Sequence, residues 1–502
     1  MKRRRFNFLA GVERVGNALP HPAALFGIFA LSTLVLSLIG YYFQWVGVNP
    51  GTGETVKIVN LLSRDGLHKI LLEMVNNYTG FAPLGIVMVA MFGIGIAESS
   101  GLIKSSINLL LIKAPKNSVT FLLVFTGILS NIASDLGYIL IIPLAGVIFH
   151  SLGRHPIAGM AAAFAGVSGG FSANILIGTI DPLLAGLSTE AARIIDPEYY
   201  VLPTSNYYFM VVSTFFIATV GTWVTNVIVE PRLGKYTGHV PQEEITQLTP
   251  NERKGLRWSG IVLLFFVALI LWGLIPENGI LRADDNTILH SPVLKGFIAV
   301  LFIVAGTCGV VYGYVSGTFK KHTDVISGMN STFKGLTSFL VLVFFASQFV
   351  AWFKWSNLGI LIAVKGAAFL QNLHLGLIPL VILFIIISGI INMFMGSASA
   401  KWAIMGPVFI PMFMLLGYSP ELSQAVFRIG DSVTNLISPM MSFFALIIVY
   451  FQKYDEKSGI GSLIATMLPY SIAFFISWTV LIVAWILIGL PLGPDAGLYY
   501  IK

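Results

Sequence analysis

The chain has 502 residues, of which 56% are hydrophobic and 11% charged, and its mean hydropathy is +0.83. A soluble domain carries about 25% charged residues, so this composition excludes a soluble protein and indicates a polytopic membrane protein. The formal net charge of +7 would suit a nucleic-acid partner, but the basic residues lie at the ends of apolar runs, where the positive-inside rule places them. Nucleic acid is therefore excluded, and the lipid bilayer is the expected surrounding.

The start of the chain is a basic segment followed by scaffold. Residues 1–21 are rich in Lys and Arg and are predicted to lie in the cytoplasm, with no cleavable signal peptide. Residues 22–80 hold the first span, at about 22–46, and an external loop with a short amphipathic helix. These residues are predicted to be part of the scaffold.

Residues 81–229 are predicted to form the first of two repeats, which begins with a span that breaks near Gly101. A hairpin follows at about 118–152, because two apolar halves of about twelve residues are each too short to cross a bilayer. Such a re-entrant hairpin buries its polar tip in protein at membrane depth. A second broken span is interrupted at Gly178–Pro182, and a plain span follows an external amphipathic stretch at 187–205.

The second half repeats this order. Residues 230–257 form a basic cytoplasmic linker, and residues 258–335 form two scaffold spans. Residues 336–490 are the second repeat, with a hairpin at about 376–416, and residues 491–502 are a C-terminal tail. The predicted fold is an all-α polytopic membrane protein with about nine spanning helices, two re-entrant helical hairpins and broken helices.

The two repeats are predicted to be inverted in topology, because the basic loops send the first hairpin in from the cytoplasm and the second from outside. The hairpins match through Pro143 and Pro407 and through the GxxP turns at 153–156 and 417–420, and after a small difference in length residues 171–182 align with residues 428–439. This alignment pairs Asn174 with Asp431, Gly178 with Asn435, and Pro182 with Pro439. Inverted repeats with paired broken helices are typical of secondary transporters with alternating access, whose substrate site lies near the bilayer midplane.

Four polar residues fall on one face of the span that starts near Pro420. Arg428, Asp431, Ser432 and Asn435 are three or four positions apart, which is the spacing of one helix face. In hydrocarbon a central Arg or Asp costs roughly 2.5–3.5 kcal/mol on insertion scales. These side chains are therefore expected to face water, one another or a ligand.

Arg428 is the first candidate for binding a substrate carboxylate, because a planar guanidinium can bind a carboxylate through two hydrogen bonds. The alternative is a structural ion pair between Arg428 and Asp431. Asp431 is a candidate site for a coupling ion or a proton, and its alternative role is only to hold Arg428 in place.

The tip of the second hairpin supplies the other candidate substrate contacts. Trp402 is expected to stack on an aromatic ring, although Trp is also common at membrane interfaces. Ser397 and Ser399 are expected to bind substrate or Na⁺, with packing of small residues as the alternative. Lys401 is a second candidate anion contact. The predicted substrate-binding residues are Arg428, Trp402, Ser399, Ser397, Asn435 and Lys401.

The first repeat supplies hydroxyl, amide and carboxylate oxygens. Asp181 precedes a proline at a helix break, so it is a candidate coupling residue or only a helix cap. The predicted coupling-ion or proton ligands are Asp431, Asp181, Ser130, Asn131, Asn174 and Ser432. Ser134 and Asp135 are further candidates at the first hairpin tip, where Na⁺ is the candidate metal. Three prolines are predicted to mark helix breaks: Pro182, Pro420 and Pro439.

Several other classes of protein are excluded by missing motifs. No Gly-x-x-x-x-Gly-Lys-Ser/Thr loop is present, so ATP is not expected to drive transport within this chain. Residues 166–170 fit Gly-x-Ser-x-Gly, but they lie in an apolar span and not at a strand-to-helix turn. His150 and His155 have no Cys or carboxylate close in sequence, which argues against zinc. The chain is therefore not expected to be an enzyme. It is expected to need no cofactor other than Na⁺ or H⁺ as the coupling ion.

Several motifs resemble the AbgT family of p-aminobenzoyl-glutamate transporters over essentially the whole chain. They are SNIASD at the first hairpin tip, SANILIGTIDP, GSASAKWA and FRIGDSVTNLISP. The resemblance implies a fold related to the sodium/dicarboxylate symporters and a homodimer, each protomer having a scaffold part and a transport part with two hairpins. The family's functional positions correspond to Asp181, Ser399, Trp402, Pro420, Arg428, Asp431 and Pro439.

The expected function is therefore secondary active transport of p-aminobenzoyl-glutamate or related aromatic anions. The resemblance also implies export of p-aminobenzoate-like sulfonamide antimetabolites. The expected location is the bacterial inner membrane, and the driving force a proton or sodium gradient. A sodium-coupled dicarboxylate transporter of the same fold is the nearest alternative, and an ion channel is the alternative from another class. Trp402 favours an aromatic substrate, and hairpins that close from each side argue against a continuous pore.

Overall fold

The computed structural model describes residues 22–48, 55–112, 118–133, 137–238, 248–284, 286–288, 291–441 and 443–500. Helices dominate these ranges. The first half contains α1 (Pro22–Tyr42), α2 (Arg64–Thr79), α3 (Ala82–Ser99), α4 (Leu102–Ile112), α5 (Val119–Leu129), α6 (Ile142–Ser151), α7 (Pro156–Phe164), α8 (Ile180–Ala192), α9 (Tyr207–Val224) and α10 (Glu230–Leu233). Short 3₁₀ or π turns occupy Ser130–Ala133, Gly137–Ile141, Ala165–Gly169 and Thr225–Val229.

The second half contains α11 (Pro250–Leu274), α12 (Pro292–Lys295), α13 (Phe297–Ser316), α14 (His322–Trp355), α15 (Leu358–Asn372), α16 (Leu377–Asn392), α17 (Ala398–Leu415), α18 (Pro420–Asn435), α19 (Phe444–Gln452) and α20 (Ile460–Ile488). Two short antiparallel strands, β1 (Val46–Val48) and β2 (Thr55–Lys57), pair in the loop after α1. The sequence analysis did not predict this hairpin of strands.

Within the described ranges, seven helices are long and apolar enough to cross a membrane, or eight if the bent pair Phe339–Trp355 and Leu358–Asn372 is one span. About nine spans were expected. The difference arises because several apolar segments are short: Val119–Ile132, Gly137–Ser151, Pro156–Gly169 and Leu377–Asn392. A helix of this length cannot cross a bilayer alone, so these segments are arms of hairpins and broken helices.

The first broken span of each repeat is interrupted in the same way, by a serine followed by a residue in the left-handed conformation. Ser100 Oγ accepts a hydrogen bond from the N–H of Leu102 at 3.2 Å, and Gly101 has a φ of +88°. In the second repeat Ser356 Oγ accepts from the N–H two residues further on at 3.3 Å, and Asn357 has a φ of +63°. Gly and Asn are the residues that adopt this left-handed conformation most readily. In both cases the serine ends the preceding helix, and its hydroxyl accepts from the first N–H of the next one.

The second broken spans correct the predicted positions. In the first repeat the irregular backbone lies between Gly169 and Ile180, and α8 begins before Pro182. The break predicted at Gly178–Pro182 therefore starts earlier, in the glycine-rich centre, and Pro182 lies in the first turn of the next helix. The stretch 187–205, predicted to be an external amphipathic segment, begins inside α8, which continues to Ala192 with its last turns buried.

The predicted alignment of residues 171–182 with 428–439 is wrong, whereas the predicted match of 153–156 with 417–420 agrees with the observed helix starts. The wrong alignment pairs irregular backbone at 171–179 with helical residues at 428–435. Pro156 and Pro420 instead both lie at the start of a helix, α7 and α18. The pairs that fail are Asn174 with Asp431, Gly178 with Asn435, and Pro182 with Pro439. Short Ser/Asn-rich runs that end in proline resemble one another in sequence, whether the proline starts a helix or follows one. The predicted alignment of these runs therefore differs by seven positions from the alignment that pairs Pro156 with Pro420.

The helices pack in two groups. α1 contacts α14, and α13 contacts α3 and α11. The hairpin arms and broken helices form the other group, in which α18 contacts α16, α17 and α20, and α17 also contacts α8. α18 is buried along almost its whole length. The helix that carries the candidate residues is therefore enclosed by protein, as its polar face requires.

Candidate functional site

Arg428 lies on α18 with 4% of its surface exposed, and its guanidinium pairs with Asp181 Oδ1 of α8 at 2.7 Å. The expected alternative, a pair between Arg428 and Asp431, is wrong. Residues three apart on one helix can pair, but both side chains find partners on neighbouring helices. Arg428 Nε has no hydrogen-bond partner among the described residues. The Nε donor of the guanidinium is therefore unused among the described residues.

Asp181 was predicted to be a coupling residue or only a helix cap, and its two carboxylate oxygens have different partners. Its Oδ2 accepts a hydrogen bond from the N–H of Gly178 at 2.7 Å, which stabilises the end of the helix break. Its Oδ1 is the partner of Arg428. The carboxylate therefore caps the break in the first repeat and holds the charged helix of the second repeat.

Asp431 forms an ion pair with Lys401 of α17, and both side chains are almost completely buried. The Lys401 ammonium also donates to Asn392 Oδ1 on α16. Asn392 Nδ2 reaches three acceptors: the Asp431 carbonyl at 2.7 Å, and Thr434 Oγ1 and Asn435 Oδ1, each at 2.8 Å. This cluster joins both arms of the second hairpin to α18.

Trp402 is fully buried, so it does not lie at a lipid interface. Its indole stacks on Phe427 with ring centroids 4.5 Å apart, and its Nε1 donates to Ser188 Oγ at 2.9 Å. Ser188 Oγ donates to Gln424 Oε1 at 2.7 Å, and Gln424 Nε2 donates to Asn206 Oδ1 at 2.8 Å. A hydrogen-bonded chain thus fixes the indole from α8 and α18.

The remaining residues of the second hairpin tip have local partners. Ser397 caps α17 by accepting from the N–H of Ala400 at 3.3 Å, and its hydroxyl is 3.3 Å from that of Ser399.

Pro439 lies in the irregular stretch after α18, as a helix-break residue should. Pro420 occupies the first turn of α18, where its missing N–H leaves no bond unmade.

The candidate ligands of the first repeat are buried around the first hairpin tip. Ser130 Oγ donates to the Gly127 carbonyl at 2.6 Å, and Asn131 Nδ2 and Asn174 Nδ2 both donate to the Ile128 carbonyl, at 3.1 and 3.3 Å. Asn131 Oδ1 has no partner among the described residues, nor does the hydroxyl of Ser432 on α18. Ser134 and Asp135 lie outside the described residues.

A cavity of about 230 Å³ lies where both hairpin tips and both helix breaks meet. Its walls are Asn131, Tyr138, Phe171, Thr179, Ile180, Gly396, Ala398, Asn435, Met441 and Phe443. Tyr138 and Phe443 stack across it with centroids 4.5 Å apart and an interplanar angle of 10°. Ile180 is next to Asp181 in the chain, and Asn435 lies one turn beyond Asp431. Asp181 and Asp431 are thus close in sequence to residues of the cavity wall, but none of the four ion-paired residues is part of that wall.

Four site residues were missed from the sequence: Ser188, Asn206, Asn392 and Gln424. Gln424 had a usable signal, because it lies one turn before Arg428 on the same face of α18. Asn392 stands in an apolar run just before the hairpin tip, where an amide is costly unless hydrogen-bonded. Ser188 and Asn206 carried no such pattern. Within the described residues, no three His, Cys, Asp or Glu side chains group to hold a metal.

This fold and this site define a membrane transporter, in which broken helices and hairpins enclose a cavity and two buried ion pairs link the surrounding helices. The chain belongs to the AbgT putative transporter family, whose model matches residues 7–500. The predicted family resemblance is confirmed.

The relatives agree with this assignment. The chain is 38% identical over 489 residues to the p-aminobenzoyl-glutamate transport protein of Escherichia coli K12, covering 97% of this chain and 96% of the relative. The YdaH transporter of Alcanivorax borkumensis, described as having an unusual topology, matches at 45% identity and a TM-score of 0.91, over 95% of this chain and all of the other. These relatives are transport proteins and not enzymes, as predicted.

A second solved structure extends the comparison. MtrF of Neisseria gonorrhoeae, described as illuminating a class of antimetabolite efflux pumps, matches at 50% identity and a TM-score of 0.93. The alignment covers 97% of this chain and 100% of MtrF. The fold is therefore shared along nearly the whole length of both chains.

Proposed function

We propose that this protein is a secondary active transporter of p-aminobenzoyl-glutamate and related aromatic anions, and that it also exports p-aminobenzoate-like sulfonamide antimetabolites. The observation that carries the proposal is Arg428, a buried guanidinium with an unused Nε donor, which follows Phe427 in the chain, the residue on which Trp402 stacks. A carboxylate and an aromatic ring are the two groups that such a site recognises. The names of the Escherichia coli and Neisseria relatives support the same substrates.

The cavity favours an aromatic acid over an aliphatic dicarboxylate. Tyr138, Phe171 and Phe443 supply aromatic walls. Its volume of about 230 Å³ is below the roughly 300–1,000 Å³ usual for pockets of drug-sized ligands. The cavity in this conformation therefore suits an aminobenzoate-sized molecule, and the glutamyl conjugate requires the hairpins to separate.

Transport is proposed to proceed by alternating access, coupled to Na⁺ or H⁺. Asp431 and Asp181 are buried carboxylates on the two helices that meet in this site, and they are the proposed sites of coupling. Asn131 Oδ1 and Ser432 Oγ are oxygens without partners among the described residues, and they are suited to a cation. An inverted pair of repeats would expose the cavity to each side in turn.

The protein is proposed to act as a homodimer in the bacterial inner membrane, with its N-terminus in the cytoplasm. The basic residues at the predicted cytoplasmic ends support this orientation. α11 presents large apolar side chains to its surroundings, among them Leu264 at 68% and Trp272 at 65% exposure. Such a face fits lipid or a second copy of the chain.

The test is counterflow in proteoliposomes that contain labelled p-aminobenzoyl-glutamate or p-aminobenzoate, under separately imposed pH and Na⁺ gradients. The expected result is saturable counterflow and net flux driven by one of the two gradients. An ion channel gives no counterflow, and preference for an aliphatic dicarboxylate would replace the aromatic substrate in the proposal.

A further inference from the structure

Lys401 is placed where an incoming anion cannot reach it in this conformation. Its side chain is fully buried, in the first turn of α17, next to Trp402. Its ammonium contacts the Asp431 carboxylate and Asn392 Oδ1. The sequence analysis assigned Lys401 to the substrate anion, but here the carboxylate of the protein itself takes that place.

The charges of the site balance in two separate pairs. Arg428 and Asp181 join α18 to the first repeat, and Lys401 and Asp431 join the second hairpin to α18. Asp431 is thus the charged partner of Lys401, Asn392 on α16 is neutral, and Arg428 is engaged by Asp181 on α8. A buried carboxylate without a cation is costly, as is a buried ammonium without an anion. Any cation that binds Asp431 must leave Lys401 in need of a new partner.

We propose that Lys401 is an internal cation that competes with the coupling cation for Asp431, and that the released ammonium then pairs with a carboxylate of the substrate. The inference rests on the proposed function and specifies how its two ligands are linked. Lysine suits this exchange because its ammonium is a point charge on a flexible four-carbon stem. Binding of the cation and binding of the anion then favour each other, since each ligand supplies the charge that the other leaves unpaired.

The residue order of the hairpin supports this exchange. Lys401 follows the small residues Gly396 to Ala400, and α17 begins only at Ala398. The ammonium is thus carried by the start of a hairpin arm whose tip borders the cavity. Movement of this tip would therefore also move Lys401 relative to Asp431.

The test measures the apparent KM for p-aminobenzoyl-glutamate in proteoliposomes at low and high Na⁺ at fixed pH, and at two pH values without Na⁺. In the wild type, KM should fall several-fold as the effective cation is raised. In Lys401→Met, KM should rise roughly tenfold or more, because a charge-assisted contact is lost, and its dependence on the cation should disappear. Lys401→Arg keeps the charge and should keep the direction of the dependence.

The controls separate this role from a structural one. Lys104→Met changes an exposed lysine and should behave as wild type. Lys401→Met/Asp431→Asn removes both charges of the pair, so no buried charge is left unpaired. If Lys401→Met alone does not fold, the KM at low and high cation can be compared in this double variant. Its KM too should not depend on the cation. A Lys401→Met protein, or the double variant, whose KM keeps the wild-type cation ratio would overturn the proposal. A wild-type KM that does not depend on the cation would also overturn the proposal for Lys401. Saturable counterflow by the same wild-type protein would still support the proposed transport function.

Discussion

Arg428 and Asp431 show how a charged residue is accommodated inside a membrane protein. They share a helix face, yet each binds a partner on another element, and both partners are buried. Breaking a buried pair by removing one member costs about 3–5 kcal/mol, since the other charge is left uncompensated. The pairs therefore fix α18 against both repeats, and a ligand that takes over one member can loosen that contact.

The role of Arg428 can be separated from its contribution to stability. Arg428→Ala should abolish saturable transport and lower the stability of the protein by about 3–5 kcal/mol, because Asp181 is left without its counter-charge. Thermal unfolding in detergent and counterflow in proteoliposomes measure the two effects. Arg428→Ala/Asp181→Ala removes both charges and should recover part of the stability, but no transport. Restored transport in that double variant would show that Arg428 is a structural residue only.

Ser188 is a test of the hydrogen-bonded chain behind Trp402. Ser188→Ala removes the acceptor of the indole N–H and the donor to Gln424, and each buried group left unsatisfied costs about 1–3 kcal/mol. The indole should then lose its fixed orientation, so the KM for aromatic substrates should rise while the protein remains folded. KM values for p-aminobenzoyl-glutamate check this.

Trp402→Phe provides the comparison for Ser188→Ala, because it keeps an aromatic ring without the N–H. If the chain acts through the indole, the KM of the double variant should equal that of Trp402→Phe alone. Additive effects of the two substitutions would mean that Ser188 contacts the substrate by another route.

At the scale of the helices, the positions of the breaks were predicted better than the residue-by-residue alignment of the two repeats. Gly101 and the serine before it marked one break, and the GxxP turns before Pro156 and Pro420 marked two helix starts. The alignment of the repeats failed because small residues recur in both. The partners of the buried charges could not be predicted from the sequence. Lys401 contacts Asp431 because α17 packs against α18, and the local sequence does not specify that packing.

Close packing of α18 against α16 depends on Gly430. A Cβ at this position would overlap the carbonyl oxygen of Ile385 and lie 2.7 Å from the Cβ of Ser388. Gly430→Ala should therefore destabilise the protein by about 1–3 kcal/mol, as inserted core atoms do, and should reduce transport because α18 is displaced. Thermal unfolding and counterflow measure these effects.

Gly260 is the matched control for this substitution. It lies inside α11 and has open space where a Cβ would be. Gly260→Ala should be neutral or stabilising by roughly 0.5–1 kcal/mol, because alanine loses less conformational entropy in a helix. Equal losses of stability in the two variants would show that contact with α16 is not the cause.

The whole molecule places one cavity between two similar halves. The sequence predicted the order of broken spans and hairpins, and the structure brings both hairpin tips and both breaks to the cavity walls. The short strands β1 and β2 and the buried turns of α8 were not predicted. They depend on tertiary contacts: Gly47 approaches Leu361 of α15 closely, and Ser188 contacts Trp402 and Gln424. Local patterns do not encode such contacts.

Alternating access requires contacts across the cavity to open and close, and the stack of Tyr138 on Phe443 is one such contact. Tyr138 belongs to the first hairpin, whereas Phe443 follows the helix break of the second repeat. Tyr138→Cys/Phe443→Cys, in a Cys308→Ser background that removes the single native cysteine, allows the two sides to be joined by a short, reducible thiol reagent. Joining them should stop net flux and counterflow, because neither side of the cavity can then move away from the other. Reduction should restore both, and each single-cysteine variant should be insensitive to the reagent. Undiminished counterflow in fully cross-linked protein would mean that the first hairpin and the second break move as one body, and that the cavity opens elsewhere.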